Sequence, residues 1–278
     1  MLIDSHAHLD FLPEGRTIDE ILADSKKAGV DKIVCVGTSI EASKKSIEVA
    51  EKYSRDDLQI YATCGIHPQD GKDEVGEMDL LQCIKTLKQL ARSSKKVIAV
   101  GECGLDYYLE GEKRVPTVDK DKQFQRELFK KQIDLAVGLN LPLIIHCRNA
   151  WDEIFEMISN SKNWRGQSST LKGVFHSWTG GVEAAKKVLE LGFYISFSGI
   201  VTFKNAPLVQ ETAKMVTLER MLIETDSPFL APEPHRGSKN EPKNVKIIAD
   251  FIAGLRNVSP IDIYSATAAN AKRLFKFE

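Results

Sequence analysis

Eight short apolar runs recur along this chain, and most are followed by a segment with helical periodicity. The runs are rich in Val, Ile and Ala and nearly continuous, which is typical of strands covered on both faces in a parallel sheet. Strand–helix alternation repeated eight times predicts an α/β fold, a (β/α)8 TIM-like barrel of regular or imperfect form. The runs are Leu2–Ile3, Lys32–Gly37, Gln59–Gly65, Val97–Gly101, Pro142–Ile145, Gly173–Phe175, Phe193–Phe197 and Met221–Ile223.

The segments between the runs carry the helical signal. The clearest amphipathic patterns cover Ile18–Ala28, Phe124–Val137, Val182–Leu191 and Val245–Leu255. Gly192 and Gly254 are predicted to end the last two helices, because glycine favours the position that terminates a helix. The alternative fold, a doubly wound open sheet, lacks the Gly-rich first turn that would support it.

The length of 278 residues suits one barrel domain, which typically has about 250 residues. No linker divides the chain, so residues 1–278 are predicted to form a single domain. The polar segment of about residues 110–122 contains Pro116 and is predicted to be a long loop inserted after the fourth strand.

Charge and cysteine usage exclude several classes of protein. The net charge is −1, whereas a protein held to nucleic acid by its overall field should be clearly basic, so a polyanionic substrate must be captured locally. The five cysteines include no Cys-x-x-Cys pair and are predicted to be buried thiols in a reducing compartment. With no secretory signal and no apolar run near the roughly 20 residues of a membrane span, we expect a cytoplasmic protein without membrane association. No apolar surface stripe indicates a dimer, so we expect a monomer.

Histidines and acids fall at the ends of the apolar runs, and His235 is the one histidine that does not. In a parallel barrel the carboxyl ends of the strands converge on the mouth where active sites are built. Residues far apart in sequence are therefore predicted to be neighbours there. The residues at these ends are His6, His8, His67, Glu102, His146, His176, Glu224 and Asp226.

Taken together, these side chains predict a metal centre. His6 and His8 point to the same side of an extended chain, and buried acids need a cation or several hydrogen bonds. Mixed His, Asp and Glu ligation suits a divalent ion. Six ligands exceed the roughly three that a catalytic zinc takes, so two divalent ions (Mg²⁺, Mn²⁺ or Zn²⁺) sharing a carboxylate fit better. The predicted metal ligands are His6, His8, Glu102, His146, His176 and Asp226.

The motifs around these residues resemble those of the TatD family of metal-dependent deoxyribonucleases, among the amidohydrolase-like barrels, over essentially the whole chain. The motifs are Ile3-Asp4-Ser5-His6-Ala7-His8-Leu9-Asp10, Gly65-Ile66-His67-Pro68, Gly101-Glu102-Cys103-Gly104-Leu105-Asp106-Tyr107, Pro142-Leu143-Ile144-Ile145-His146-Cys147-Arg148, His176-Ser177-Trp178-Thr179-Gly180, Glu224-Thr225-Asp226-Ser227-Pro228 and Arg236-Gly237-Ser238-Lys239-Asn240-Glu241-Pro242.

The resemblance implies a role for each matching position. His6, His8 and Asp226 match ligands of one metal, Glu102 matches the bridging carboxylate, and His146 with His176 match ligands of the second metal. His67 and Glu224 match positions near the site. The resemblance also implies an imperfect (β/α)8 barrel and hydrolysis of DNA phosphodiesters, often from a 3′ end, with single-stranded or frayed DNA as substrate. The long 110–122 segment, Asn149, Trp178 and Ser238 depart from the family pattern and bear on substrate preference.

We assign further roles on chemical grounds. Asp226 is predicted to accept the proton of the attacking water, with Glu224 as its rival, while Glu102 holds both ions. His67 is predicted to donate a hydrogen bond to the substrate or to orient a neighbour. Trp178 either stacks on a base or packs at the rim. Candidates for contacts with phosphate oxygens, although such side chains are commonly solvated charges, are Arg148, Arg236 and Lys239.

Two other functions remain open at the level of sequence. The same ligands would serve a metal-dependent ester or amide hydrolase such as a D-aminoacyl-tRNA deacylase. A non-catalytic metal-binding protein is the other alternative, although such a protein has no evident need for every acid and imidazole.

Overall fold

The computed structural model describes residues 1–11, 15–77, 79–108, 119–161 and 171–277. Within these ranges eight parallel strands form one sheet in the order of the sequence, which confirms the predicted (β/α)8 barrel. The strands are β1 Leu2–Ala7, β2 Val30–Cys35, β3 Gln59–Cys64, β4 Val97–Asp106, β5 Leu143–Arg148, β6 Gly173–Phe175, β7 Tyr194–Phe197 and β8 Met221–Ile223.

Helices follow the strands and cover the outside of the barrel. They are α1 Ile18–Lys27, α2 Ile40–Tyr53, α3 Gly71–Glu77, α4 Leu80–Ser93, α5 Asp119–Leu139, α6 Trp151–Asn160, α7 Val182–Glu190, α8 Pro207–Met215, α9 Val245–Arg256 and α10 Pro260–Phe275. No helix in the described part of the chain is both long and apolar enough to cross a membrane.

The barrel closes between its first and last strands just beyond the end of β8. Ala7 and Ser227 form an isolated parallel bridge, and the His8 amide donates to the Ser227 carbonyl at 2.7 Å. The Asp226 amide donates to the His6 carbonyl at 2.9 Å. Strands β1 and β8 are therefore joined at their carboxyl ends, and the barrel is imperfect along the rest of this strand pair.

Alternating side chains along the strands build two apolar layers. Val34, Ile144, Val174 and Leu222 belong to the cluster that also contains Leu274 and Phe275 of α10, so this helix covers the amino-terminal end of the barrel interior. Their sequence neighbours belong to the larger cluster between the strands and the outer helices. The first layer fills the barrel up to the level at which the polar residues begin.

Several predicted boundaries were wrong. Helix α9 runs through Gly254, and its C-terminal cap is Asn257. With a φ of 54°, Asn257 provides the left-handed conformation that glycine was expected to supply. Strands β1, β4 and β5 extend beyond the apolar runs, through the polar residues of the site. Of the predicted 110–122 loop, residues 119–122 form the first turn of α5, and residues 110–118 lie outside the described ranges.

Candidate metal centre

The period of two along the strands brings polar side chains to the inner face of the barrel mouth. Ile144, Val174 and Leu222 face inward, so the residues two positions further on face the same way above the apolar layer. Those residues are His146, His176 and Glu224. In β1, Asp4 and His6 are related in the same manner and His8 follows beyond the strand end. The predicted histidines and acids are therefore gathered in one place by the barrel itself.

Glu102 of β4 lies at the centre of this group, and its two carboxylate oxygens face different histidines. Oε1 lies 2.9 Å from His146 Nδ1 and 2.8 Å from His176 Nε2. Oε2 lies 3.3 Å from His6 Nε2 and 3.9 Å from His8 Nε2. A carboxylate whose two oxygens face different imidazoles is able to bridge two cations.

Asp226 completes the group on the side of β1. Its Oδ1 lies 3.5 Å from His6 Nε2 and 3.4 Å from His8 Nε2, and the two Nε2 atoms are 3.2 Å apart. A buried carboxylate holds Asp226 in place, because Asp4 accepts from the Thr225 amide at 2.9 Å and from the Thr225 hydroxyl. Burial raises the pKa of Asp4 to about 8.

The donor set fits divalent ions. Ligand atoms about 2.1 Å from an ion are about 3.0–3.5 Å from one another in octahedral or tetrahedral geometry. The nitrogen and oxygen atoms of His6, His8 and Asp226 are separated by 3.2–3.5 Å. The Nδ1 atoms of His6 and His8 are buried and have no hydrogen-bond partner among the described residues, so both rings direct Nε2 toward the carboxylates. Two Nε2 lone pairs at this distance are brought together favourably by a shared cation.

The protein keeps the central acids ionised. Burial would raise the pKa of Glu102, but the charge of His176 and hydrogen bonds from His146 and His176 hold that pKa well below its usual value. Burial also opposes ionisation of Asp226, and the hydrogen bond from His8 with the charge of His6 lowers its pKa nevertheless. The carboxylates of Glu102 and Asp226 therefore stay negatively charged although they are buried, which suits them to bind a cation.

The group forms the floor and walls of a cavity of about 540 Å³ at the mouth of the barrel. Glu102, His67, His146, His176 and Asp226 line it. His67 Nε2 lies 3.5 Å from Glu102 Oε1, and burial lowers the pKa of His67 to about 3, so its imidazole is neutral.

Glu224 occupies a different position from Asp226. It is fully buried, accepts a hydrogen bond from the Ser177 amide at 2.6 Å, and lies 3.3 Å from His176 Nδ1. Glu224 does not line the cavity, whereas Asp226 does. Of the two acids, Asp226 is therefore the one that reaches the cavity, and Glu224 contacts His176 from behind.

The predicted substrate residues are divided by the structure. Arg148 lines the cavity, and its guanidinium stacks on the Tyr108 ring at 3.4 Å. Arg236 and Lys239 are exposed and lie outside the cavity lining, and Arg236 stacks on Phe203 at 4.2 Å. The cavity therefore offers one of the three predicted cations directly to a substrate.

Trp178 does not lie at the rim. Its ring is 1% exposed and packs against Trp151 with 4.7 Å between ring centroids, in the aromatic core that includes Phe175. A buried ring has no free face for a base, so the stacking role predicted for Trp178 was wrong. Trp178 packs into the core because it follows the short strand β6, and its ring turns outward to cover that strand. Phe11 and Phe229, which are 52% and 51% exposed, line the cavity instead.

Sequence reasoning also missed Asp106. This carboxylate is 3% exposed, lines the cavity, and lies 3.2 Å from His146 Nε2. Its signal was present, since Asp106 stands four positions after Glu102 in the same motif. The sequence pattern does not single out Asp106, because the apolar run that predicts β4 ends at Gly101, five residues before the strand itself ends.

Comparisons with known proteins agree with this geometry. The family described as TatD related DNase matches residues 3–276. The chain is 38% identical to an "uncharacterized metal-dependent hydrolase YabD" of Bacillus subtilis, with 99% of each chain covered. It is 35% identical to an "uncharacterized metal-dependent hydrolase YcfH" of Escherichia coli, covering 100% of this chain and 96% of the other. The crystal structure of YJJV, a TatD homolog from Escherichia coli, superposes with a TM-score of 0.84 at 27% identity, covering 100% of this chain and 98% of that one.

Proposed function

This chain belongs to the TatD family of metal-dependent hydrolases, and we propose that it is a deoxyribonuclease that cleaves DNA phosphodiesters with two divalent ions. The observation that carries the proposal is the position of Glu102, whose two oxygens face separate imidazole pairs at the floor of an open cavity. We further expect a cytoplasmic enzyme that acts as a monomer, preferably from the 3′ ends of single-stranded or frayed DNA.

The distances support the ligand assignment that the family resemblance implies. His6, His8 and Asp226 would hold the first ion, and His146 with His176 would hold the second. Glu102, which lies between the two groups of imidazoles, would contact both ions. Divalent ions held there would polarise a phosphoryl oxygen and lower the pKa of a nearby water. Mg²⁺, Mn²⁺ and Zn²⁺ are each compatible with this mixture of nitrogen and oxygen donors.

Side chains of the protein would supply the remaining chemistry. Asp226 directs Oδ1 at His6 and His8, and we assign Oδ2 as the atom that accepts the proton of the attacking water. The neutral imidazole of His67 can donate a hydrogen bond to a substrate oxygen from the cavity wall. Arg148 can contact a non-bridging phosphate oxygen, because its guanidinium is already held against Tyr108.

The rim of the cavity suits a nucleotide whose base is unpaired. The rings of Phe11 and Phe229 lie edge-on to His8, with 6.3 Å and 5.9 Å between ring centroids. Each keeps about half of its surface exposed, so each has a ring face on which a base can stack. A base in a duplex is already stacked on its neighbours, and its removal would cost free energy. This favours single-stranded ends as substrate.

The test is metal-dependent turnover of defined substrates. The protein, purified without chelator, is incubated with end-labelled single-stranded DNA, duplex DNA and D-aminoacyl-tRNA, each with Mg²⁺, Mn²⁺ or Zn²⁺. We expect release of nucleotides from the 3′ end of single-stranded DNA, loss of this activity with EDTA, and loss of more than about 100-fold in Glu102→Ala, because the bridge between the ions is removed. Glu156→Ala, an exposed glutamate on α6, is the matched control and should retain full activity.

Other outcomes separate the alternatives. Hydrolysis of the D-aminoacyl-tRNA ester with intact DNA would replace the nuclease with an ester hydrolase that uses the same centre. Stoichiometric metal binding with no turnover of any of the three substrates would favour a non-catalytic metal-binding protein.

A further inference from the structure

Asp106 contacts His146 on the side of its ring that faces away from Glu102. Asp106 Oδ2 lies 3.2 Å from His146 Nε2, while His146 Nδ1 lies 2.9 Å from Glu102 Oε1. An ionised carboxylate can only accept a hydrogen bond, so His146 Nε2 must carry the proton in this pair. An ion bound at Nδ1, the atom that faces Glu102 and His176, would replace the proton there, while Nε2 keeps its proton for Asp106.

Asp106 is itself fixed by contacts to three parts of the chain. Its Oδ1 accepts from the Tyr108 amide at 2.8 Å, which leaves Oδ2 for His146. Its backbone is paired with the side chain of Gln125 from α5, since the Asp106 amide donates to Gln125 Oε1 at 2.9 Å and Gln125 Nε2 donates to the Asp106 carbonyl at 3.0 Å. Both carboxylate oxygens thus have assigned partners, and the carboxylate cannot rotate without losing one of them.

We propose that Asp106 is a positioning residue that sets the tautomer of His146 and thereby the affinity of the second metal site. The inference rests on the metal centre of the proposed function but not on DNA as the substrate. Carboxylates placed behind a ligating histidine generally contribute 10- to 100-fold in metal affinity. His67, Asp106 and His146 also lie close enough together to hold an ion of their own, and the same experiment distinguishes that arrangement.

Two substitutions of Asp106 have different consequences. In Asp106→Ala the acceptor opposite His146 Nε2 is absent, so nothing holds the proton on that atom. In Asp106→Asn the amide oxygen can keep the Tyr108 amide, which places the NH₂ group opposite His146 Nε2. Nε2 must then accept, the proton moves to Nδ1, and the lone pair is removed from the metal side. We therefore expect the conservative amide to be at least as harmful as alanine, which a purely structural role would not produce.

The matched control is Asp70→Asn. Asp70 lines the same cavity and undergoes the same chemical change, but among the described residues it forms no hydrogen bond or ion pair with His146 and belongs to none of the ligand groups. The experiment measures ions per chain by elemental analysis and the two binding constants by competition with a chromophoric chelator, using Zn²⁺ and the full-length protein. Circular dichroism verifies that each variant is folded.

We expect two ions per chain in the wild-type protein and in Asp70→Asn. In both Asp106 variants the first ion should bind with unchanged affinity and the second 10- to 100-fold more weakly, with activity recovered at high metal concentration. Unchanged affinity for the second ion in both variants would overturn the proposal. So would a wild-type stoichiometry of three ions that falls to two in Asp106→Ala. These readouts do not depend on the substrate, so failure of the nuclease assignment would leave them intact.

Discussion

At the scale of single residues, the aromatic rings at the cavity rim decide which substrates can be held. Phe229 is half exposed beside His8, whereas Trp178, which has the larger ring, is buried behind β6. The two positions therefore give opposite expectations for substrate binding.

Phe229→Ala should raise KM for single-stranded DNA by about 5- to 150-fold with a smaller effect on kcat, because a base stacked on an aromatic ring is worth about 1–3 kcal/mol. Steady-state kinetics on a labelled oligonucleotide gives both constants. Trp178→Phe serves as the control and should leave KM unchanged. A rise in KM for Trp178→Phe without one for Phe229→Ala would place the base elsewhere.

The residues that could be predicted are those whose chemistry is visible without geometry. Histidines and acids at strand ends indicate a metal centre, because burial of such groups is costly without a cation. The roles of Trp178 and Asp106 depended on which way a side chain turns at the end of a strand. That direction is set by packing from β6 and by the length of β4, neither of which is recorded in the local sequence.

At the scale of elements, the pairing of β4 with β5 fixes the second half of the metal centre. Gly104 is directly opposite His146 in this pair, with a φ of +146° that side chains rarely permit. A Cβ atom added at Gly104 would overlap the carbonyl oxygen of His146. The close approach of these strands therefore requires glycine at this position.

Gly104→Ala should lower the free energy of unfolding by at least about 2 kcal/mol, because both the backbone conformation and the contact with β5 are lost. Urea unfolding in the presence of EDTA measures this without a contribution from bound metal. The control is Gly138→Ala in α5, where an added Cβ meets no atom within 4 Å, and which should be neutral or stabilising by up to about 1 kcal/mol. Equal effects of the two alanines would remove the argument from strand contact.

The order of the elements was predictable because each strand is an apolar run and each helix has its own periodicity. The ends of the strands and helices were less predictable than their order. The Thr17 capping box that begins α1 has a clear local signal, with Glu20 three residues later. The end of α9 has a weaker signal, since Asn257 adopts the left-handed conformation and the helix passes through the glycine that looked like a stop.

At the scale of the whole molecule, the metal centre joins strands from all parts of the barrel. Ions that bind only the folded state stabilise it by about 2.7 kcal/mol at a free concentration 100 times Kd. Removal of metal by EDTA should therefore lower Tm by about 5–10 °C, measured by differential scanning calorimetry. Glu102→Ala should show less than half of this change. An unchanged Tm in the wild type would contradict metal binding at this centre.

The charge of the molecule predicts how substrate binding responds to salt. The net charge is −1, and among the described residues that line the cavity Arg148 is the only Lys or Arg. Each phosphate neutralised in single-stranded DNA contributes about −0.7 to the slope of log affinity against log salt. We expect a slope of about −0.7 for 1/KM, measured in a KCl series at fixed Mn²⁺. A slope steeper than about −2 would reveal a larger basic surface.

The bridge between Ala7 and Ser227 has a consequence for when the centre can form during synthesis. His6 and His8 leave the ribosome some 220 positions before Asp226, and only closure of the last strand against the first sets the three side chains together. A nascent chain therefore cannot capture its first ion in the native geometry before nearly all of the barrel has emerged. Metal uptake then marks the completion of this protein rather than guiding its early folding.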